Sequence, residues 1–306
     1  MPVTVVGSIA FDSVKTPFGE RERMLGGAAV HFALAASFFD EVHIVGPVGD
    51  DFGETELAVL QKHNINTSGI EHVADGQTFF WRAEYGWDLN GRETLETALG
   101  VFENFEPTLS EAARASDVVF LANIQPEIQR RVRAQCTETR FAALDTMNLW
   151  IDTAREQLVS AINEVDCVIV NDAELRQLTG KPSLVGAARE VLSWSSTSGR
   201  AVVAKLGEYG AALITRDGYF SIPAFPLETV VDPTGAGDCF AGGFIGYIAA
   251  QRGKHLTPTL LRRAMAYGTA IASFNVEEFG TDRVARLRMD EIDERVVDLR
   301  RMTAFS

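Results

Sequence analysis

The run Val230–Gly243, VVDPTGAGDCFAGG, carries more chemistry than any other stretch of the chain. An acid, Asp232, precedes Gly235, Ala236 and Gly237; a second acid, Asp238, follows, and then small residues with Gly242, Gly243 and Gly246. Glycines at a loop-to-helix junction let backbone N–H groups converge on one point at the positive end of the helix dipole. Such a point can hold a phosphate, or the charge that develops on a phosphoryl group in transfer. Asp238 could take the proton of a hydroxyl placed there, a contribution on the order of 10²–10⁴ in rate. The plain reading of the same run is a glycine-rich turn in which Asp238 is a favourable charge at a helix start. Spacing alone leaves both readings open.

The elements that must position this loop follow from the hydrophobic pattern. Short β-rich runs (Val3–Val6, Val42–Val45, Val118–Leu121, Ala142–Leu144, Cys167–Val170, Ala201–Lys205) alternate with helical stretches. The helices are expected at Ala28–Phe39, Glu54–His63, Pro126–Cys136, Thr153–Ile162, Asp172–Leu178 and Ala187–Ser193. Strand-then-helix repetition predicts an α/β fold, a doubly wound, mainly parallel sheet with helices on both faces. Sites in such sheets lie beyond the carboxyl ends of the strands. With no internal repeat or low-complexity linker, residues 1–306 read as one domain.

One segment breaks the alternation. In TFFWRAEYGWDLNGRETLETAL, Asn90-Gly91 separates two strand-like runs and predicts a type I′ hairpin. Period-two spacing puts Phe79, Trp81, Ala83, Tyr85 and Trp87 on one face, and Phe80, Arg82 and Glu84 on the other. Ser13–Met24, with Pro17 and Gly19 near its centre, is a second such excursion. Together, about 12–24 and 77–99, they predict a small β-lid. Its aromatic face is expected to pack on the main body or on a second copy, which would make a homodimer.

Composition sets outer bounds. The chain has 306 residues, 46% hydrophobic and 23% charged, with 42 Asp and Glu against 28 Lys and Arg, a net charge of −14. A chain this long buries roughly 75% of its unfolded surface and needs no staples. The acidic surplus argues against a partner made of nucleic acid or anionic membrane. Cys136, Cys167 and Cys239 form no Cys-x-x-Cys pair, and the five histidines show no metal-ligand spacing. No apolar run reaches membrane-spanning length, and the N-terminus reads as a first strand rather than a leader. A reducing, cytoplasmic setting is expected. There is no P-loop, no Gly-x-Gly-x-x-Gly after the first strand and no Gly-x-Ser-x-Gly elbow. The C-terminal TDRVARLRMDEIDERVVDLRRM interleaves acids with arginines and reads as a solvated helix or irregular tail.

The run DPTGAGDCFAGGF resembles the signature of the ribokinase-like, or PfkB-type, carbohydrate kinase family, whose pattern is Asp-x-Thr-Gly-Ala-Gly-Asp. Other landmarks follow in the family's order over roughly residues 7–246. They are GSIAFD (Gly7–Asp12), the paired Gly26-Gly27, GDDFG (Gly49–Gly53), NDAE (Asn171–Glu174) and KLGEYG (Lys205–Gly210). The resemblance implies a ribokinase-like fold and an ATP- and magnesium-dependent kinase acting on an alcohol of a small sugar-like substrate. It implies Asp238 as general base and the backbone of Gly235, Ala236 and Gly237 as anion hole. Asp12, Gly26 and Gly27 would lie at the substrate; Asn171, Glu174, Lys205, Gly207 and Gly210 would lie at the nucleotide. Glu174 would organise Mg²⁺, through water, and Asp232 stands where some relatives hold a monovalent cation such as K⁺. Such chemistry asks the protein mainly for positioning and charge stabilisation.

This chain departs from sugar-specific relatives at His31, where they commonly carry Asn. His31 either hydrogen-bonds a substrate hydroxyl or faces other protein beside Phe32. Asn123, Gln125, Asp145 and Asn148 follow strand ends, where side chains can face a ligand or simply cap loops. An aromatic lid would suit a nucleoside, so a nucleoside kinase of the same family is one alternative. A non-catalytic nucleotide or sugar sensor is another, although it would have no need of a base at Asp238.

Overall fold

Val3–Val6 is buried on both sides, as a β-branched run at the centre of a parallel sheet should be. It forms β1 in the computed structural model, which describes residues 2–195 and 200–304. The strands that follow are β2 (Ala10–Thr16), β3 (Gly19–Gly26), β4 (Val42–Val48), β5 (Ile65–His72), β6 (Phe79–Tyr85) and β7 (Arg92–Ala98). They continue with β8 (Val118–Leu121), β9 (Phe141–Asp145), β10 (Cys167–Asn171), β11 (Ala201–Lys205), β12 (Ala211–Thr215) and β13 (Tyr219–Ile222). The helices are α1 (Ala28–Ala36), α2 (Glu54–Gln61), α3 (Glu111–Arg114), α4 (Pro126–Gln135), α5 (Asn148–Thr153) and α6 (Arg155–Asn163). Then come α7 (Asp172–Thr179), α8 (Leu184–Ser193), α9 (Ala236–Ala250), α10 (Pro258–Asn275) and α11 (Met289–Thr303).

Nine strands form one sheet in the order β13-β12-β11-β10-β9-β8-β1-β4-β5. From β11 to β5 every pairing is parallel; β12 and β13 add an antiparallel edge. The two faces build two cores, and strand alternation divides the residues between them. Val118 and Phe120 join the core under α1, α9 and α10, while Val119 and Leu121 join the one under α4, α6, α7 and α8. Order reverses beside β1, whose neighbours β4 and β8 come from either side of the β6–β7 hairpin in sequence. That reversal opens a crevice at the strands' carboxyl ends.

The lid is a four-stranded sheet, β3-β2-β6-β7. Its two hairpins join through a parallel pairing of β2 with β6, Ala10 opposite Phe79 through Lys15 opposite Glu84. Tyr85 and Val14 meet Phe279 of the body, with Trp81, Met24, Leu89 and Val231 around them. The aromatic face therefore packs on this chain's own C-terminal region.

Several expectations need correction. The β6–β7 connection is six residues, Gly86–Gly91, because Tyr85 pairs with Arg92. Leu89 (φ +58°) takes the left-handed conformation there, not Asn90-Gly91, and its N–H closes a turn on the Gly86 carbonyl at 3.0 Å. Trp87 sits in that loop, 88% exposed, and leaves the apolar face to Trp81, Ala83 and Tyr85. The helix expected at Thr153–Ile162 is α6, and a separate short helix, α5, precedes it across a break at Ala154 (φ −140°). The C-terminal segment is the solvated helix of the two alternatives expected for it: α11 buries only Ile292 and Leu299. β5, β12, β13 and α10 had no counterpart in the sequence reading.

Candidate active site

Other helices cap their first turn with a side-chain oxygen, among them Asn171 for α7, Ser183 for α8 and Thr257 for α10. α9 has none; its N-cap is Gly235 at φ +74°. The first-turn N–H groups of a helix have no carbonyl four residues back inside the helix, so an uncapped start is an anion site in waiting. Gly235 is required there twice over. An L side chain resists that φ, and a Cβ would run into the His31 ring. Ala236 donates its N–H to the Pro233 carbonyl at 3.2 Å, so this group is spent within the turn.

The loop is tied down from below. Asp232 is fully buried; its Oδ1 accepts the Thr234 N–H and its Oδ2 the Gly280 N–H, both at 2.9 Å. Asn275 Nδ2 donates to the Thr234 carbonyl at 2.7 Å, and its Oδ1 lies 3.2 Å from Cys239 Sγ. Cys239 in turn lies 3.9 Å from Nδ1 of His31. His31 is buried, and burial lowers its pKa to about 4, so the ring is neutral. Its Nε2 has no hydrogen-bond partner among the described residues.

Carboxyl groups from four other elements face the same space. Burial raises Asp238 to about 6; Lys205 and Arg92 pull it back, and Glu174 pushes it up. Asp145, at the end of β9, is 4% exposed with an unpartnered Oδ1; burial and then Asp238 hold its carboxyl well above the usual range. Asp12, on β2, is raised to about 7 by burial, opposed by the Gly27 N–H at 3.4 Å and reinforced by Asp232 and Asp238. A Cβ on Gly26 would collide with the Asp12 carboxylate, whereas one on Gly27 (φ +92°) would meet the backbone of Ser8 and Ala10. Glu174 and Asn171 lock each other in a capping box: Glu174 N–H to Asn171 Oδ1 at 2.7 Å, and Asn171 N–H to Glu174 Oε2 at 2.9 Å. Lys205, from β11, brings its ammonium within 2.8 Å of where a Cβ on Gly237 would stand.

The structure thus gathers Asp12, Gly26, Gly27, Asp145, Glu174, Lys205, Asp238 and the Gly235–Gly237 loop around one crevice. Gly207 (φ +59°) and Gly210 (φ +98°) bracket the tight turn after Lys205. Asn123 is otherwise engaged: its Oδ1 accepts from Trp150 Nε1 at 3.0 Å and its Nδ2 meets Met147 Sδ at 3.1 Å.

Sequence reasoning passed over the lid's contribution. Tyr85 Oη lies 3.3 Å from Thr234 Oγ1, and Asn90 Nδ2 reaches Glu208 Oε1 at 3.5 Å. The lid therefore touches both the α9 loop and the turn after β11. Asn275 was also missed; a lone Asn closing the apolar run of α10 was its signal.

Among the described residues no three His, Cys, Asp or Glu side chains converge to cage a metal, and no helix is long and apolar enough to cross a membrane. Hard carboxylate oxygens at the mouth of an anion site, without a closed cage, fit Mg²⁺, which keeps waters and is held largely by substrate phosphates.

Comparison with known proteins agrees with this geometry. The model of the pfkB family carbohydrate kinases matches residues 3–286. A cytidine kinase of Thermococcus kodakarensis is 30% identical over 84% of this chain and 91% of its own length. Fructokinase-2 of Zea mays is 26% identical over 80% of this chain and 77% of its own. A Burkholderia thailandensis nucleoside kinase solved with inosine superposes with a TM-score of 0.78 at 21% identity, covering 97% of each chain. The chain belongs to the pfkB family of carbohydrate kinases.

Proposed function

We propose that this kinase moves the γ-phosphoryl group of ATP to a hydroxyl of a ribose-bearing acceptor, a nucleoside ahead of a free sugar. The observation that carries the reading is Asp238: a half-buried acid raised to about 6, in the first turn of an uncapped helix. At neutral pH it is mostly ionised and yet basic enough to take a hydroxyl proton. The acceptor oxygen bonds the γ-phosphorus, the bond to the β–γ bridging oxygen breaks, and ADP leaves with that electron pair. The acceptor's proton ends on Asp238.

Gly235 and Gly237 aim backbone N–H groups at the charge on the moving phosphoryl. Asp12 receives acceptor hydroxyls, and Gly26 leaves it room. Mg²⁺, when bound, neutralises phosphate charge, and Glu174 and Asn171 would hold it through water.

The nucleoside preference rests on the cytidine kinase likeness. It does not rest on the lid aromatics, because Trp81 and Tyr85 are spent on packing. The fructokinase likeness supports a hexose as second reading. ADP release with ATP, Mg²⁺ and a panel of nucleosides, sugars and polyols separates them. At least a tenfold higher kcat/KM for a nucleoside is expected. Fructose or free ribose as best acceptor would overturn the nucleoside assignment, and tight binding without turnover of anything would favour a sensor.

A further inference from the structure

We infer that the groove between β13, α10 and α11 is a second ligand site, for a small molecule that joins a phosphate or other anionic group to a flat apolar ring. The inference goes beyond the transfer chemistry and does not rest on which acceptor the kinase prefers. The groove holds about 480 Å³, within the roughly 300–1,000 Å³ of small-molecule sites. Phe220 and Ile222 of β13, Ala266 of α10, and Val296 and Leu299 of α11 give it apolar walls. Tyr247 of α9 and Tyr267 of α10 stack beside them, ring centroids 4.6 Å apart and 17° from parallel. Phe39 meets both rings edge-on, at 6.1 and 5.4 Å, and Tyr267 Oη donates to Asp293 at 2.9 Å, so the pair is held before any ligand arrives. Tyr247 stands nine residues, roughly 14 Å of helix rise, beyond Asp238, and Tyr267 eight residues, roughly 12 Å, before Asn275. Arg295 closes the end nearer Asn275. Its guanidinium lies 3.3 Å from the centroid of Phe274 and 4.5 Å from that of Phe225, and it donates to Ser273 and Glu277. The groove is thus separate from the crevice.

The charge of the groove selects the ligand. Arg262, Arg263 and Arg300 line it, and among the described residues no Asp or Glu does. The chain as a whole carries 42 acids against 28 bases. On α11 itself Arg295 pairs with Glu277 and Arg301 with Asp298, whereas among the described residues the three arginines of the groove form no ion pair. Arg262 instead lies 5.4 Å from the centroid of the Phe220 ring, which occupies its face and leaves its N–H donors unspent. Past Tyr247 and Arg263 the groove runs into a second hollow of about 390 Å³, which adds Lys254 and His255 and, among the described residues, again no acid. Three like charges repel one another unless an anion sits between them, and guanidinium forks match phosphate or carboxylate oxygens in pairs. A ring laid on the apolar wall would carry such a group to them. The exposed apolar side chains of α11 beside the groove, Val297 and Met302, are too few for the roughly 800 Å² that each partner of a stable dimer buries, so the occupant is a small molecule and not a second copy.

The probe is naphthyl phosphate, titrated by calorimetry into the full chain with Mg²⁺ and a non-hydrolysable ATP analogue present to fill the crevice. One equivalent should bind, at least about tenfold tighter than naphthol or inorganic phosphate, because neither of those carries both halves. Loss of charge-assisted hydrogen bonds should weaken the probe at least about tenfold in a variant carrying Arg262→Ala and Arg300→Ala. Val297→Glu, which sets a like charge beside the anion, should do the same. All three positions are exposed, so melting should stay within about 2 °C and kcat within about twofold of the wild type. Unchanged probe affinity in these variants, equal affinity for inorganic phosphate alone, displacement of the probe by the ATP analogue, or no binding at about 1 mM probe each overturns the inference. A dimer in sedimentation that Arg262→Glu dissociates would give the groove to a second copy and overturn it as well.

Discussion

Asp12→Asn should make the protein more stable as the pH rises and a worse enzyme throughout. Asp12 is 5% exposed and its carboxyl is raised from 3.8 to about 7. The sign follows from proton binding: between those values the folded chain keeps a proton that the unfolded chain has released. Stability contributed by this group is complete below about 3.8 and is lost as pH rises to about 7. The full span is worth about 4 kcal/mol, of which about 2–3 falls between pH 5 and pH 8. An amide has no such proton to lose, and its Oδ1 can still accept from Gly27. Any steric cost against Gly26 is the same at every pH and cancels. Urea denaturation of both proteins at pH 5 and pH 8 isolates the difference. The gap in unfolding free energy, variant minus wild type, should grow by about 2–3 kcal/mol on going to pH 8. A gap that stays constant or shrinks refutes the idea that Asp12 is a buried acid kept for a ligand. KM for the acceptor should rise at least tenfold in the same variant.

Three further outcomes follow from the geometry. With Asp238 as base, kcat/KM should climb with pH through about 6 and level off above it; a profile flat from pH 5 to 8 excludes that role. Gly235→Ala should cost at least about 2 kcal/mol in unfolding free energy and most activity, read by denaturation and ADP release, because the φ of +74° and the His31 ring both resist a Cβ. Glu174→Gln keeps an acceptor for the Asn171 N–H, so melting should shift by less than about 2 °C while the Mg²⁺ concentration for half-maximal rate rises about tenfold.

The sequence disclosed the frame where its signals are local. Runs such as Val118–Leu121 are too short and too β-branched for helices, and they became the parallel strands. The glycine-rich loop with Asp238 was readable because positive φ and an uncapped helix start demand those residues. β12 and β13 stayed hidden because four or five residues at a sheet edge leave little pattern. The Asn90-Gly91 signal located the β6–β7 hairpin but not its turn, since Tyr85 pairs with Arg92 and leaves a six-residue loop between them. The raised acid at Asp145 is likewise a property of assembly, since its neighbours come from α7, α9 and β11.

The parallel pairing of β2 with β6 decides how the lid is hinged. Its two hairpins leave and re-enter the body independently, so four separate backbone straps hold one sheet. A flap on a single hairpin can swing about one axis and drift. A sheet held at four points can move only if all four bend together, which restricts it to a few stiff, reproducible paths. The same topology makes the lid redundant in its covalent wiring: a cut in the exposed Gly86–Gly91 loop severs the polypeptide there, yet leaves β6 zipped to β2 and β7 zipped to β6.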